Sequence, residues 1–190
     1  MTDDLGTVLS WKLGKTKESH SGIGFLGSLG VPLIITLNSN LTKGEIKKTR
    51  IYYRTNPSSL GIKWVAPEMT YGKKYAFVYT QGESIHARSF IPCQDTPASK
   101  LSVTSYLTVA KPLVAVFPGN IIKTFDPDVG TTTYGFEQKK LISTYLLAIS
   151  AGALEFKQIN ERSGVWAEKE IINKSEKVFN QTETFIKTVS

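Results

Sequence analysis

The chain has 190 residues, 41% of them hydrophobic and 21% charged, which is the composition of a soluble globular protein large enough for a core. Its formal net charge is +7, but the basic residues stand in short scattered groups, so nucleic acid binding is not expected. No apolar stretch approaches the roughly 20 residues of a membrane span, and the polar, acidic residues 1–4 predict no secretory signal. The single cysteine, Cys93, suits a reducing compartment, so we expect a cytoplasmic protein.

Most of the sequence predicts short β-strands separated by turns. Residues 101–109 alternate between apolar and polar side chains, with the period of two that is typical of a strand with one buried face. Further strands are predicted at residues 31–37, 46–53, 75–80, 113–117, 131–136 and 141–149, and the last of these is equally compatible with a helix. Strands at this spacing predict a mainly β fold, either an antiparallel sandwich or a large curved sheet.

The last part of the chain has a different pattern. From Glu168 onward, apolar pairs recur seven residues apart, at Ile171/Ile172, Val178/Phe179 and Phe185/Ile186. This stripe is typical of an amphipathic helix, and Glu168 and Glu170 near its start suit the helix dipole. We therefore predict a β-rich domain over residues 1–166 and an amphipathic helix over residues 167–190, whose apolar face needs a surface to pack on.

The sequence offers little for a metal centre or a nucleophile. The two histidines, His20 and His86, stand in no His-x-x-x-His arrangement, whereas a zinc site needs about three or four ligands. Cys93 lies seven residues after His86, and nothing in the sequence brings the two side chains together as a nucleophile and its base. No catalytic residue and no metal ligand are predicted.

One short motif is misleading. Residues 22–27 formally match the G-x-G-x-x-G pattern of dinucleotide-binding proteins. That pattern needs a hydrophobic strand before it and a helix after it, but residues 15–21 are polar, and Gly30 and Pro32 interrupt any helix. We predict a hairpin loop here instead of a cofactor site.

The segment from residue 81 to residue 97 is dense in polar, charged and proline residues. Its second half predicts a structural turn, in which Asp95 and Thr96 cap backbone amides. In its first half, Gln81 and Glu83 are two residues apart, so on an extended strand their side chains point to the same face. An amide and a carboxylate placed in this way can present acceptors to the ammonium group of a ligand.

This segment also carries a resemblance to a known family. Residues 81–88 read Gln-Gly-Glu-Ser-Ile-His-Ala-Arg and residues 92–97 read Pro-Cys-Gln-Asp-Thr-Pro. They resemble the patterns Q-x-Q-A-I-H-x-R and P-C-Q-D-T-P in the N-terminal domain of the leukotriene A(4) hydrolase family and its aminopeptidase relatives. Agreement continues at residues 64–73, 150–155 and 165–170, so the resemblance runs in order from about residue 60 to residue 190.

The resemblance implies a saddle of mostly antiparallel sheet that covers the mouth of a separate zinc-bearing catalytic domain. It also implies that Gln81, Glu83 and Ser84 contact the free amino end of a peptide substrate. Glu83 stands where the hydrolase branch has Gln, and Ser84 stands where it has Ala. A charge-assisted contact with the α-ammonium group is therefore expected, whereas epoxide hydrolase activity on a fatty-acid substrate is not.

The resemblance further implies that the zinc ligands, including the H-E-x-x-H helix, belong to a catalytic domain that this chain lacks. Residues 168–190 resemble the first helix of that domain, and the resemblance also implies that the opening strands of the family are missing. We therefore expect a chain that is not catalytic alone and holds no cofactor. It is expected to act with a catalytic-domain chain, or another protein, packed on residues 168–190.

Three functions stay open at this point. The chain is the substrate-binding lobe of a split zinc aminopeptidase, or a degenerate relative that serves as a structural or adaptor subunit of a larger assembly. The third alternative is an independent enzyme of an unrecognised kind.

Overall fold

The computed structural model describes residues 1–3, 7–14 and 30–189, and in these ranges the chain is built mainly from β-strands. The strands are β1 (Thr2–Asp3), β2 (Ser10–Leu13), β3 (Leu33–Thr36), β4 (Thr49–Arg50), β5 (Ile62–Val65), β6 (Phe77–Thr80), β7 (Leu101–Ala110), β8 (Val114–Val116), β9 (Asn120–Phe125), β10 (Thr131–Ile142), β11 (Ser150–Gly152), β12 (Leu154–Gln158) and β13 (Gly164–Glu168). Short 3-10 helices cover Pro67–Met69, Ala87–Ser89 and Thr144–Leu146. Two helices follow, α1 (Ile172–Phe179) and α2 (Thr182–Val189). His20 and the glycine-rich match at residues 22–27 lie outside the described residues.

Within the described ranges, every strand pairing is antiparallel. One sheet has the order β7-β10-β9 and another the order β5-β6-β11-β8. The remaining strands form the pairs β1-β4, β2-β3 and β12-β13. The predicted fold class, mainly β with antiparallel sheets and a helical C-terminal part, is confirmed.

The long strands β7 and β10 organise the first sheet. Alternate residues of β7 are half-buried and exposed along its whole length, which confirms the strand predicted at residues 101–109. The core brings both larger sheets together: Phe136 of β10 packs against Phe117, which follows β8, with ring centroids 6.1 Å apart. The segments that carry Ala87 and Leu147 complete this buried cluster.

Two strand predictions differ from the structure. Of residues 46–53, only Thr49–Arg50 is a strand, because its partner β1 is two residues long and residues 51–53 find no strand to pair with in the described chain. The stretch 141–149 is neither one strand nor one helix. It contains the end of β10, the 3-10 helix Thr144–Leu146 and the connection to β11.

The C-terminal helix begins later than predicted. Glu168 is the last residue of β13, and its carboxylate accepts hydrogen bonds from the amides of Tyr71 (2.9 Å) and Gly72 (3.1 Å), so its predicted place at the start of a helix is wrong. The helical part is also divided into α1 and α2. The boundary placed between residues 166 and 167 therefore falls inside β13, and the division into two units stays a prediction.

Ion pairs connect both helices to the hairpin of β12 and β13. Lys157 pairs with Glu176 of α1 at 2.6 Å, and Arg162 pairs with Glu183 of α2 at 2.8 Å.

None of the helices within the described ranges is both long enough and apolar enough to cross a membrane.

Candidate functional site

The predicted site begins where β6 leaves its sheet. The amide of Thr80 donates to the carbonyl of Ile149 at 2.9 Å, and the Thr80 hydroxyl accepts from the Ile149 amide at 2.9 Å. One residue later, the amide of Gln81 donates to the carbonyl of Gly61 at 2.8 Å. The backbone is therefore held from two sides as it enters the motif segment.

Residues 83–86 form a turn, closed by a hydrogen bond of 2.8 Å from the His86 amide to the Gly82 carbonyl. The peptide bond between Glu83 and Ser84 is cis. Because β6 ends at Thr80 and residues 83–86 form a turn, the prediction that Gln81 and Glu83 share one face of an extended strand is wrong. Gln81, Glu83 and Ser84 are nevertheless exposed together on one short segment at the end of β6.

Two close backbone approaches define the position of this segment, which we call the site turn (residues 81–86). Gly82 is buried, and a Cβ atom there would lie 2.7 Å from the carbonyl oxygen of Tyr145. A Cβ atom at Gly61 would lie 2.6 Å from the carbonyl oxygen of His86. Only glycine permits these distances, so the turn is clamped between Gly61, the residue before β5, and the segment around Tyr145.

The ion pair between Arg88 and Asp95 stabilises the segment that follows the site turn. The Asp95 carboxylate accepts hydrogen bonds from the Arg88 amide (3.0 Å), Arg88 Nε (3.1 Å) and the Thr144 hydroxyl (2.7 Å). Burial by itself raises the pKa of Asp95, but the hydrogen bonds from Thr144 and Arg88 and the charge of Arg88 outweigh it, so the pKa lies below its ordinary value. The capping role predicted for Asp95 is confirmed. The capping role predicted for Thr96 is wrong: its backbone amide and carbonyl take part in the turn, but its side chain makes none of the hydrogen bonds among the described residues.

Cys93 is not an activated nucleophile. Its burial and the neighbouring Asp95 carboxylate raise the pKa of its thiol to about 11, although the charge of Arg88 acts in the opposite direction. The thiol is therefore protonated near neutral pH, and a nucleophile needs the thiolate. His86 is half-buried in the site turn, where its carbonyl accepts from the Ser89 amide and hydroxyl.

The residues in the described ranges do not fit a zinc centre. Among them, no group of three or more histidine, cysteine, aspartate or glutamate side chains lies close enough to hold a metal ion. Zinc needs about three or four such ligands around one point. No chemical step that depends on a metal is therefore assigned to these residues.

The site turn lies on the surface and not in a deep cleft. Two cavities, of about 540 and about 520 Å³, lie between the paired strands β2 and β3 and residues 88–95, and neither is lined by Gln81, Glu83 or Ser84. A ligand held at the site turn would therefore stay open to solvent on the side that faces away from this chain. Sequence reasoning missed the residues that clamp the turn, Gly61 and Tyr145, because no local pattern marks contacts between distant parts of the chain.

Comparison with known proteins places these features in one family. The family model described as Peptidase M1 N-terminal domain matches residues 16–146. Leukotriene A-4 hydrolase from Xenopus laevis is 36% identical over 176 residues, covering 90% of this chain and 29% of that protein. Aminopeptidase B from Homo sapiens is 36% identical over 151 residues, covering 80% of this chain and 22% of that protein.

Solved structures agree with the sequence comparison. Native yeast leukotriene A4 hydrolase superposes with a TM-score of 0.77 at 30% identity, covering 98% of this chain and 27% of that one. An M1 zinc metallopeptidase from Deinococcus radiodurans shares the fold with a TM-score of 0.56 at 19% identity, covering 87% of this chain and 35% of that one. The chain thus spans less than a third of the length of the curated relatives it matches. Because the family match covers more than half of the sequence, the chain belongs to the Peptidase M1 N-terminal domain family.

Proposed function

We propose that this chain is the substrate-facing N-terminal lobe of a zinc aminopeptidase and contacts the free amino end of a peptide. The observation that carries the proposal is Glu83, an exposed carboxylate on the clamped site turn. None of the ion pairs in the described ranges involves Glu83. An uncompensated carboxylate on a rigid support is suited to accept charge-assisted hydrogen bonds from an ammonium group.

The neighbouring side chains complete the proposed contact. The amide of Gln81 both donates and accepts, and the hydroxyl of Ser84 does the same, so the pair can bind the carbonyl and the amide of the first peptide unit. Both residues are exposed on either side of Glu83. Binding an ammonium group here requires no movement of the backbone, because the turn is already held at Gly61 and Gly82.

The proposal assigns zinc and the hydrolytic step to protein outside the described residues. The apolar side chains left exposed on the two helices are the proposed contact surface for that partner: Val178 (74% exposed), Phe179 (51%), Phe185 (63%) and Val189 (85%). A large apolar surface of this kind is typical of an interaction site. We place the assembly in the cytoplasm, since one half-buried free thiol suits a reducing compartment.

A second candidate function is that of a structural or adaptor subunit without a working substrate site. Two departures from the family motif favour it: Glu83 where the resembling pattern has Gln, and Ser84 where it has Ala. In this role the helical surface would bind its partner while the site turn binds nothing.

Purification of the chain from its native source, followed by mass spectrometry and zinc analysis of the bound proteins, separates the two candidates. The proposed function predicts a zinc-bearing aminopeptidase partner, and an assembly without one would support the adaptor role. In the purified assembly we expect Glu83→Gln to raise KM for an unmodified tripeptide about tenfold, the value of one charge-assisted hydrogen bond. Glu161→Gln, an exposed change in the β12-β13 turn, is the matched control and should leave KM unchanged.

A further inference from the structure

Beneath the site turn, a serine lies at the centre of a hydrogen-bond cluster that no motif includes. Ser89 follows directly after the matched residues 81–88, in the 3-10 helix Ala87–Ser89. Its hydroxyl donates to the carbonyl of His86 at 2.7 Å and accepts from the amide of Gly61 at 2.9 Å. The hydroxyl of Ser59 donates to the Ser89 carbonyl at 2.8 Å and lies 2.9 Å from the Ser89 hydroxyl.

This cluster joins the two ends of the site turn. The Gly61 amide donates to Ser89, while the Gly61 carbonyl accepts from the amide of Gln81 at the start of the turn. His86, whose carbonyl Ser89 also binds, is the last residue of the turn. One hydroxyl therefore couples the entry of the turn, through Gly61, to its exit at His86.

The neighbouring packing makes the coupling rigid. A Cβ atom at Gly61 would lie 2.5 Å from the Ser89 hydroxyl and 2.8 Å from the ring of Phe90, so the three residues meet with no spare space. Phe90 belongs to the buried core cluster. The Ser89 hydroxyl is held between the core and the backbone, so it has little rotational freedom. If the buried Gly61 amide lost this acceptor, no water could replace it.

We propose that Ser89 is a positioning residue for the site turn: through Gly61 and His86, its hydroxyl sets the place from which Gln81 and Glu83 meet the amino end of a peptide. Ser89 touches no substrate itself. The inference rests on the proposed function, because the position of the turn affects peptide recognition only if the turn binds the amino end of a peptide.

The test uses the purified chain and two probes, tetra-alanine with a free amino terminus and the same peptide acetylated at its amino terminus. Binding of each is measured by NMR titration, and the ratio of the two affinities reports recognition of the ammonium group. We expect Ser89→Ala to lower this ratio about fivefold to tenfold and to accelerate hydrogen exchange of the Gly61 and Gln81 amides by about tenfold, as one lost hydrogen bond implies.

The control is Ser102→Ala, an exposed change on β7 that should alter neither quantity. If Ser89→Ala lowers thermal stability and accelerates amide exchange but leaves the affinity ratio at the wild-type value, Ser89 is only structural and the inference is overturned while the proposed function stands. If the wild-type chain itself does not distinguish the two peptides, the proposed function fails and the inference fails with it. Should Ser89→Ala not fold, Ser89→Cys, whose thiol is a much weaker donor and acceptor than the hydroxyl, is expected to lower the ratio by a smaller factor, and an unchanged ratio would refute the inference.

Discussion

The strongest prediction concerns the buried carboxylate that supports the site turn. Replacing Asp95 with alanine removes the common acceptor for the Arg88 amide, the Arg88 guanidinium and the Thr144 hydroxyl. The Asp95 side chain is 3% exposed and the Arg88 side chain is 29% exposed, so the arginine can regain part of its hydration while the threonine cannot. Breaking a buried ion pair costs about 3–5 kcal/mol, and the partial exposure of Arg88 places the expected loss near the lower end, about 3 kcal/mol.

For a chain of this size, that loss corresponds to a melting temperature lower by about 6–12 °C, measured by circular dichroism at pH 7. Thr144→Val removes one of the three hydrogen bonds and should lower the melting temperature by about 2–4 °C. Because both changes disrupt the same contact, the double variant should melt within about 2 °C of Asp95→Ala. The matched control is Asp128→Ala, at an exposed position in the turn before β10. A melting temperature for Asp95→Ala within about 1 °C of wild type would refute this account.

The lowered pKa of Asp95 predicts how the stability of the chain depends on pH. The pKa of Asp95 is lower in the folded chain than its ordinary value. Its contribution to the free energy of unfolding is therefore fully present above the ordinary carboxyl pKa of about 4, and it is lost as the pH falls through the lower folded value. We expect the stability difference between wild type and Asp95→Ala to be constant from pH 5 to pH 8 and to shrink below about pH 4. A difference that grows on acidification would contradict the direction of the shift.

Three further changes test other parts of the structure. Gly82→Ala places a Cβ atom 2.7 Å from the Tyr145 carbonyl oxygen and should lower the free energy of unfolding, measured by chemical denaturation, by about 1–3 kcal/mol. The control is Gly72→Ala, where the nearest neighbours of a Cβ atom are flexible carboxylate oxygens at 3.4 Å, and it should lower this free energy far less. Glu168→Ala removes the acceptor for the Gly72 amide at 3.1 Å, and hydrogen exchange of that amide should accelerate by about fivefold to tenfold; unchanged exchange would show that the contact does not hold the loop. The rate of Cys93 alkylation by iodoacetamide at pH 8 should be on the order of a hundredfold lower than that of an ordinary thiol. This rate should increase as the pH is raised toward about 11, and a rate at pH 8 typical of a free thiol would contradict the raised pKa.

The sequence pattern predicted the structure correctly where that structure depends on residues close together in the chain. The alternation of residues 101–109 predicted β7, because one face of a paired strand is buried whatever strand lies beside it. Asp95 was recognised as a cap because short carboxylates in turns accept from backbone amides, and the amide that it caps belongs to Arg88, seven residues earlier. The ordered motifs at residues 64–73, 81–97, 150–155 and 165–170 indicated the family, which the match to residues 16–146 confirms.

Only the tertiary structure decided where elements end and how the site is presented. The strand that was expected to carry Gln81 and Glu83 stops at Thr80, because Gly82 must pass the backbone at Tyr145 and pairing cannot continue. Glu168 has the charge expected at a helix start, yet it belongs to β13 because it pairs there with Leu154 of β12, while its carboxylate accepts from the amides of Tyr71 and Gly72. Periodicity reports which face of a segment is buried, whereas the end of an element depends on whether a distant backbone supplies the next hydrogen bond.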